Sequence, residues 1–214
     1  MMNAAEFVRT NTALIAPPLV PEIRLHLATE VVPLWRKTEE QLEAEGVPPP
    51  YWAFAWAGGQ ALARYILDNP EIVRGGAVLD FGSGSGLVAI AAMKAGAGSA
   101  IAADVDAFAL AAIALNADTN GVAVETTADD LIGSDSRWDV ILCGDMCYER
   151  PLAERLLTWL RQRASGSTRV LLGDPGRSYF PKSGVDRLAT YHVQTTRDLE
   201  DREIRETSVY RLTG

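Results

Sequence analysis

From residue 76 onward, short apolar runs alternate with segments of helical period. AVLDF at 77–81, SAIAAD at 99–104, VAVETTA at 122–128, WDVILCGD at 138–145 and TRVLLGD at 168–174 read as strands. WDVILCGD is almost continuously apolar, as a strand covered on both faces should be. LVAIAAMKAG at 87–96, AFALAAIALNADTNG at 107–121 and residues 151–163 read as the intervening helices, the first two stopping at a glycine. Such alternation predicts a parallel sheet with right-handed crossovers and helices on both faces. The last two β-rich stretches, ATYHVQTTRDL and EIRETSVYRL, are separated by an acidic turn at 200–203. That is too short for a helical crossover, so they predict an antiparallel hairpin at one edge.

The first 50 residues follow another pattern. Prolines near residue 20 forbid one continuous helix, residues 22–32 and 34–45 read as short amphipathic helices, and GVPPP at 46–50 closes the segment. It is too small for its own core. The division expected is an N-terminal helical extension over 1–50, a lid or flank, on a single α/β domain over 51–214. YWAFAWAGGQ opens that domain and leads into a helix at 60–69.

Composition narrows the function. The formal charge of −8 argues against a nucleic-acid backbone as the main partner, because phosphate binding needs a basic footprint. No apolar stretch approaches the roughly 18 residues of a membrane span. Cys143 and Cys147 lie close together on an apolar segment without accompanying histidines, which suits reduced thiols better than a disulfide framework or a metal site. Glu6 precedes any basic or apolar leader. A cytoplasmic protein is therefore expected, monomeric by default. His26 and His192 are isolated and receive no catalytic role.

The densest chemical signal is VLDFGSGSG at 78–86, a strand running into Gly82, Gly84 and Gly86 with a helix directly after. Glycines there let a ligand approach the backbone, and such a loop at the strand ends of an open sheet floors a nucleoside pocket. A dinucleotide fingerprint needs glycine where Leu87 stands, and a P-loop needs Gly-Lys-Ser/Thr. What remains is Asp80 just ahead of G-x-G-x-G, which resembles the S-adenosylmethionine motif. A carboxylate suits that ligand's ammonium and sulfonium. Asp104 ends the second strand about 20 residues on, where a carboxylate accepts ribose hydroxyls. Asp106 reads as a helix cap. Asp129 and Asp130 follow the third strand; one of them is expected at the adenine amino group, and the pattern does not choose between them.

The whole pattern, a mostly parallel seven-stranded sheet ending in a hairpin, resembles the Rossmann-like class I methyltransferase fold. Asp145-Met146-Cys147-Tyr148 follows the fourth strand at the same sheet edge. D-x-x-Y there resembles the seven-β-strand protein-lysine methyltransferases, with Asp145 and Tyr148 matching. YWAFAWAGGQALARYIL at 51–67, GDMCYE at 144–149 and GDPGR at 173–177 are similar to the subgroup acting on the electron-transfer flavoprotein β subunit. The resemblance, of bacterial type, implies S-adenosylmethionine as donor and S-adenosylhomocysteine as product. The protein substrate it implies is that flavoprotein subunit or a ribosomal stalk protein; a small-molecule acceptor is the alternative on the same scaffold. Because the attacking amine must be neutral and held in line with the methyl, Asp145 is expected to recruit and orient the lysine ammonium, whose proton leaves to water, and Tyr148 to direct the lone pair or wall the channel.

Trp52, Phe54 and Trp56 alternate at strand spacing, so all three are placed on one face. Trp56, with Gly58, Gly59 and Gln60, is assigned to the border of the cofactor's methionine end and Trp52 to the lysine channel, against core packing as the bland reading. Arg177 is read as holding Asp145, an acidic substrate residue, or a surface ion pair.

Overall fold

The computed structural model describes residues 3–29, 49–195 and 204–213. Its sheet has seven strands: β3 (Ala77–Phe81), β4 (Ser99–Ala103), β5 (Glu125–Thr127), β6 (Val140–Gly144), β7 (Arg169–Asp174), β8 (Val185–Gln194) and β9 (Ile204–Leu212), ordered β5-β4-β3-β6-β7-β9-β8. The first five in that order pair in parallel, and β9 runs antiparallel between β7 and β8. The predicted sheet and edge hairpin are thus present. The strand order reverses between β3 and β6, the switch point at which open sheets form a ligand crevice.

Alternate strand residues serve two cores. Val78, Val140, Leu142 and Leu171 face one layer, which includes α2 (Ala57–Asp68), α3 (Leu87–Lys94) and α4 (Ala107–Thr119). Leu79, Ile141, Cys143, Val170 and Leu172 face the other, built on α5 (Arg150–Ala164). Burial on both faces is why these strands read as unbroken apolar runs. β5 is shorter than the predicted 122–128 because it pairs on one side only, with Ile101–Ala103 of β4, and its residues are largely solvent-facing.

The N-terminal segment departs from expectation. α1 (Ala4–Asn11) precedes a two-stranded antiparallel pair, β1 (Ala13–Ile15) and β2 (Leu25–Leu27), so in place of the helix predicted over 22–32 the described residues hold a short strand flanked by irregular chain. The helix predicted at 34–45 lies outside the described residues. Two asparagines of α4 explain the strand. Asn116 Oδ1 accepts from the His26 N–H (2.7 Å), and Asn120 both accepts from the Arg24 N–H (3.1 Å) and donates to its carbonyl (2.6 Å). A tertiary partner satisfies the backbone of β2, overriding the helical period of its side chains. Val20, Ile23, Leu25 and Leu27 are buried in the main core, so the segment completes the domain rather than hanging from it.

Candidate active site

The site occupies the carboxyl ends of β3, β4, β6 and β7. On its donor side, the chain leaves β3 through Gly82, Gly84 and Gly86, all at positive φ (68°, 53° and 82°), a conformation that costs any residue with a Cβ. Asp80, 1% exposed, lies beneath this loop. Its Oδ2 accepts from Ser83 Oγ (2.6 Å) and from the Ala89 N–H (3.0 Å), tying the loop to the first turn of α3. Burial outweighs these bonds and pushes the carboxyl up to about 6. Asp104 Oδ2 accepts from the Gly84 N–H (2.8 Å) and Oδ1 from that of Asp106 (3.0 Å), so the end of β4 also braces the loop; burial raises this carboxyl too. A carboxylate offers about four acceptor positions, which leaves room for ligand hydroxyls. Asp106 caps α4 as predicted, accepting from the Phe108 N–H.

The structure separates the two acids after β5. Asp130 is committed to a turn and an ion pair, accepting from the Ile132 N–H and from Arg155 (2.8 Å). Asp129 Oδ2 accepts from the Thr127 hydroxyl (3.0 Å), and the Asp129 N–H donates back to that hydroxyl (3.1 Å).

On the acceptor side, Asp145 leaves β6 at φ 60°, the one described non-glycine residue with positive φ, and is 9% exposed. Strain of that kind persists where the surroundings over-determine it. Here Asp145 Oδ2 accepts from the Gly59 N–H in the first turn of α2 (2.9 Å), and Oδ1 accepts from Arg177 Nη2 (2.7 Å) and Nε (3.2 Å). Of the three readings of Arg177, the structure selects the hold on Asp145. The same guanidinium lies over the Trp56 ring, 5.5 Å from its centroid. Asp174, at the end of β7, accepts the Gly176 and Arg177 N–H groups on Oδ1 (2.7 Å each) and so fixes the loop that carries Arg177. Burial above all, helped by the neighbouring Asp145, pushes the Asp174 carboxyl up to about 7.

α2 reaches Asp145 because glycines let backbones touch. A Cβ on Gly58 would collide with the Gly173 carbonyl and Asp145 Oδ2, and a Cβ on Gly144 would lie 3.0 Å from Gly59. Donor and acceptor sides meet at Met146, whose side chain covers Gly82 so closely that a Cβ there would strike its sulfur. Tyr148 is 46% exposed, its ring 6.0 Å from that of Tyr51, which in turn sits 6.1 Å from Trp56. The Tyr148 phenol is raised by burial and, less, by Tyr51, Glu149 and Asp104, so it stands between the two sides.

One sequence expectation is corrected. Trp52, Phe54 and Trp56 do not share a strand face, because Tyr51–Ala53 is a 3-10 turn after three prolines and Trp56 is the N-cap of α2. Trp52 is buried (2% exposed), stacked on Phe108 at 6.5 Å with its Cα beside Gly84, away from the acceptor side assigned to it. Trp56 instead borders Arg177, with Nε1 donating to the Tyr51 carbonyl (2.9 Å). Sequence reasoning passed over Asp174, Gly173, Met146 and Tyr51. Asp174 had a signal, since D-P-G-R at a strand end is an Asx-type turn; the glycine contact had none.

The donor set fits the sulfonium cofactor. The loop is braced by carboxylates from β3 and β4, with exposed acids at the end of β5, which suits a cationic ligand with vicinal hydroxyls and opposes a phosphate. Among the described residues no helix is long and apolar enough to cross a membrane, and no cluster suited to a metal occurs.

Known proteins agree. A family model described as ribosomal protein L11 methyltransferase matches residues 60–147. Solved structures with this fold include a ribosomal protein L11 methylase from Lactobacillus delbrueckii subsp. bulgaricus (TM-score 0.50, 22% identity, 72% of this chain and 77% of that one). Another is magnesium protoporphyrin IX methyltransferase from Synechocystis PCC 6803 with bound S-adenosylmethionine (TM-score 0.53, 18% identity, 72% and 78%). Sequence relatives are nearer. The electron transfer flavoprotein beta subunit lysine methyltransferase of Xenopus laevis is 42% identical over 95% of this chain and 85% of its own length, and that of Danio rerio 39% over 96% and 81%. With likeness of that degree along nearly the whole sequence, the chain belongs to the electron-transfer flavoprotein β-subunit lysine methyltransferase family.

Proposed function

We propose that this protein methylates lysine ε-amino groups of the electron-transfer flavoprotein β subunit, with S-adenosylmethionine as donor. One observation carries the reading: the strained, buried Asp145 and the glycine loop are adjacent, joined by the Met146 side chain on Gly82. When bound, the cofactor supplies an electrophilic methyl on a positive sulfur, the C–S bond breaking as an N–C bond forms and the electron pair staying on sulfur.

The chain's own residues do the rest. Gly82, Gly84 and Gly86 give the donor a floor free of side chains, and Asp80 and Asp104 hold that floor in shape. Asp104 accepts ribose hydroxyls. Asp129 takes the adenine amino group, since Asp130 is paired with Arg155. Asp145 receives the lysine and fixes its nitrogen in line with the methyl, at the near-attack distance that makes transfer effectively intramolecular. Tyr148 and Tyr51, both partly open to solvent, wall the lysine's approach. The amine must be neutral to attack, and its proton leaves to water.

The L11 methyltransferase match ends at Cys147, before Tyr148, Asp174 and Arg177. It covers the glycine loop and Asp145 and so supports methyl transfer without fixing the acceptor, and a ribosomal stalk protein is the second acceptor to test. Purified chain is incubated with methyl-labelled S-adenosylmethionine and either protein, and the products are mapped by mass spectrometry. Label on lysines of the flavoprotein subunit is the expected result. Label confined to the stalk protein, or on neither protein, overturns the acceptor assignment.

A further inference from the structure

We infer that Arg177 is a positioning residue that cancels the charge of Asp145, so that the bound lysine gives up its proton more readily than a bare carboxylate would allow. The inference rests on the proposed role of Asp145 toward lysine. A lysine ammonium has a reference pKa of about 10.4, so at neutral pH only about one in a few thousand is ready to attack. An isolated, half-dry carboxylate beside it would raise that value and slow the reaction it is meant to assist.

The geometry answers this difficulty. Arg177 places Nη2 and Nε on a single oxygen, Oδ1, at 2.7 and 3.2 Å, with side-chain exposures of 17% for the arginine and 10% for the acid. Oδ2 accepts from the first turn of α2, where the helix adds partial positive charge. The turn thus carries little net negative charge toward an incoming nitrogen. It can orient a nitrogen without favouring its protonated form. The guanidinium is itself fixed by the Trp56 ring against its face and by Asp174, which binds the N–H of Arg177. In the step that follows, the ammonium N–H bond breaks with its proton going to water. The freed pair then forms the N–C bond as the methyl departs from sulfur.

Other groups facing Asp145 are Asp174 from β7, Cys143 from β6 and Cys147 from the turn. Burial first of all holds both thiols protonated, Cys147 being pushed up to about 12. Asp174, at about 7, changes charge near neutrality and needs its own control. Asp174→Asn supplies it, keeping a side-chain oxygen for the two N–H bonds while removing the titration.

The test is the pH dependence of single-turnover transfer to the flavoprotein β subunit by the whole chain, with proton release measured separately. That release is obtained by calorimetry in two buffers, titrating the same acceptor into S-adenosylhomocysteine-loaded protein. In Arg177→Gln the alkaline-rising limb is expected to move up by about one pH unit, making transfer about tenfold slower at pH 7 but near wild type on the plateau. Fewer protons are released on acceptor binding. Arg177→Lys, which keeps the charge without the fork, restores most of the limb. Made in an Asp174→Asn background, Arg177→Gln still moves the limb by about one pH unit. The inference is overturned if Arg177→Gln slows transfer equally at every pH, or if its shift is lost in the Asp174→Asn background. Absence of any transfer by the wild-type chain overturns the acceptor reading first and this inference with it; an unmoved limb in an active enzyme overturns this inference alone.

Discussion

Asp80 and Asp145 are both strand-end carboxylates at one sheet edge, yet their surroundings treat charge in opposite ways. Asp80 is sealed under the glycine loop, accepts from a hydroxyl and an amide, and is pushed up to about 6 by burial. Asp145 accepts from a guanidinium and a helix N-terminus. The donor side is a contiguous device, nine residues from Val78 to Gly86 braced by Asp104. The acceptor side is assembled from four separate stretches: Trp56–Gly59, Asp145–Tyr148, Gly173–Asp174 and Arg177. In the proposed mechanism the first builds a surface for the donor, whereas the second sets how much charge an incoming amine meets.

The sharpest way to break this division is Asp145→Asn. It should lower methyl transfer by on the order of a thousandfold, the size seen when a group acting at the reacting atom is lost, with S-adenosylhomocysteine affinity within about threefold of wild type by calorimetry. Near wild-type transfer would remove Asp145 from the chemistry.

The raised carboxyl of Asp174 supplies the next effect. It is raised in the folded state from 3.8 to about 7, so its contribution to stability is present below pH 4 and is lost as pH rises through 7. Denaturant unfolding of the wild type should therefore weaken across that window. In Asp174→Asn the decline should be smaller by on the order of 3 kcal/mol, the remainder being shared by Asp80, Asp104 and Asp106, whose carboxyls burial also raises.

Glycine substitutions compare the two sides directly. Gly58→Ala drives a Cβ into the Gly173 carbonyl and Asp145, so about 2 kcal/mol of stability should be lost and transfer should fall with it. Gly82→Ala meets the movable Met146 side chain and a φ of 68°, which predicts about 1 kcal/mol, read as weaker cofactor binding more than as lost transfer at saturation. Equal effects of the two on cofactor affinity would erase the distinction.

Smallest is the choice between neighbouring acids. Asp129→Asn should weaken cofactor binding by about 1 kcal/mol, roughly fivefold, while Asp130→Asn should leave it within a factor of two, because its partner is the surface residue Arg155. The reverse order would move the adenine contact to Asp130.

The same division governs what could be read from the chain beforehand. β3, β6 and β7 agreed with prediction within two residues because two-sided burial writes itself as an apolar run. The glycine loop was legible because its positive-φ conformation at Gly82, Gly84 and Gly86 demands residues without a Cβ close together. β2 was not, since its backbone partners Asn116 and Asn120 lie about 90 residues away. Trp52 was misplaced because a 3-10 turn and a strand share no register.

What the sequence determined alone was the layered sheet, the donor loop and the identity of the strand-end acids, since each depends on neighbours within one strand–loop–helix unit. The tertiary structure decided that Asp130 pairs with Arg155, which cation meets Asp145, and how near α2 comes to it. Those depend on approaches between distant backbones, and a sequence records the residue that permits an approach, such as glycine, but not the partner that makes it.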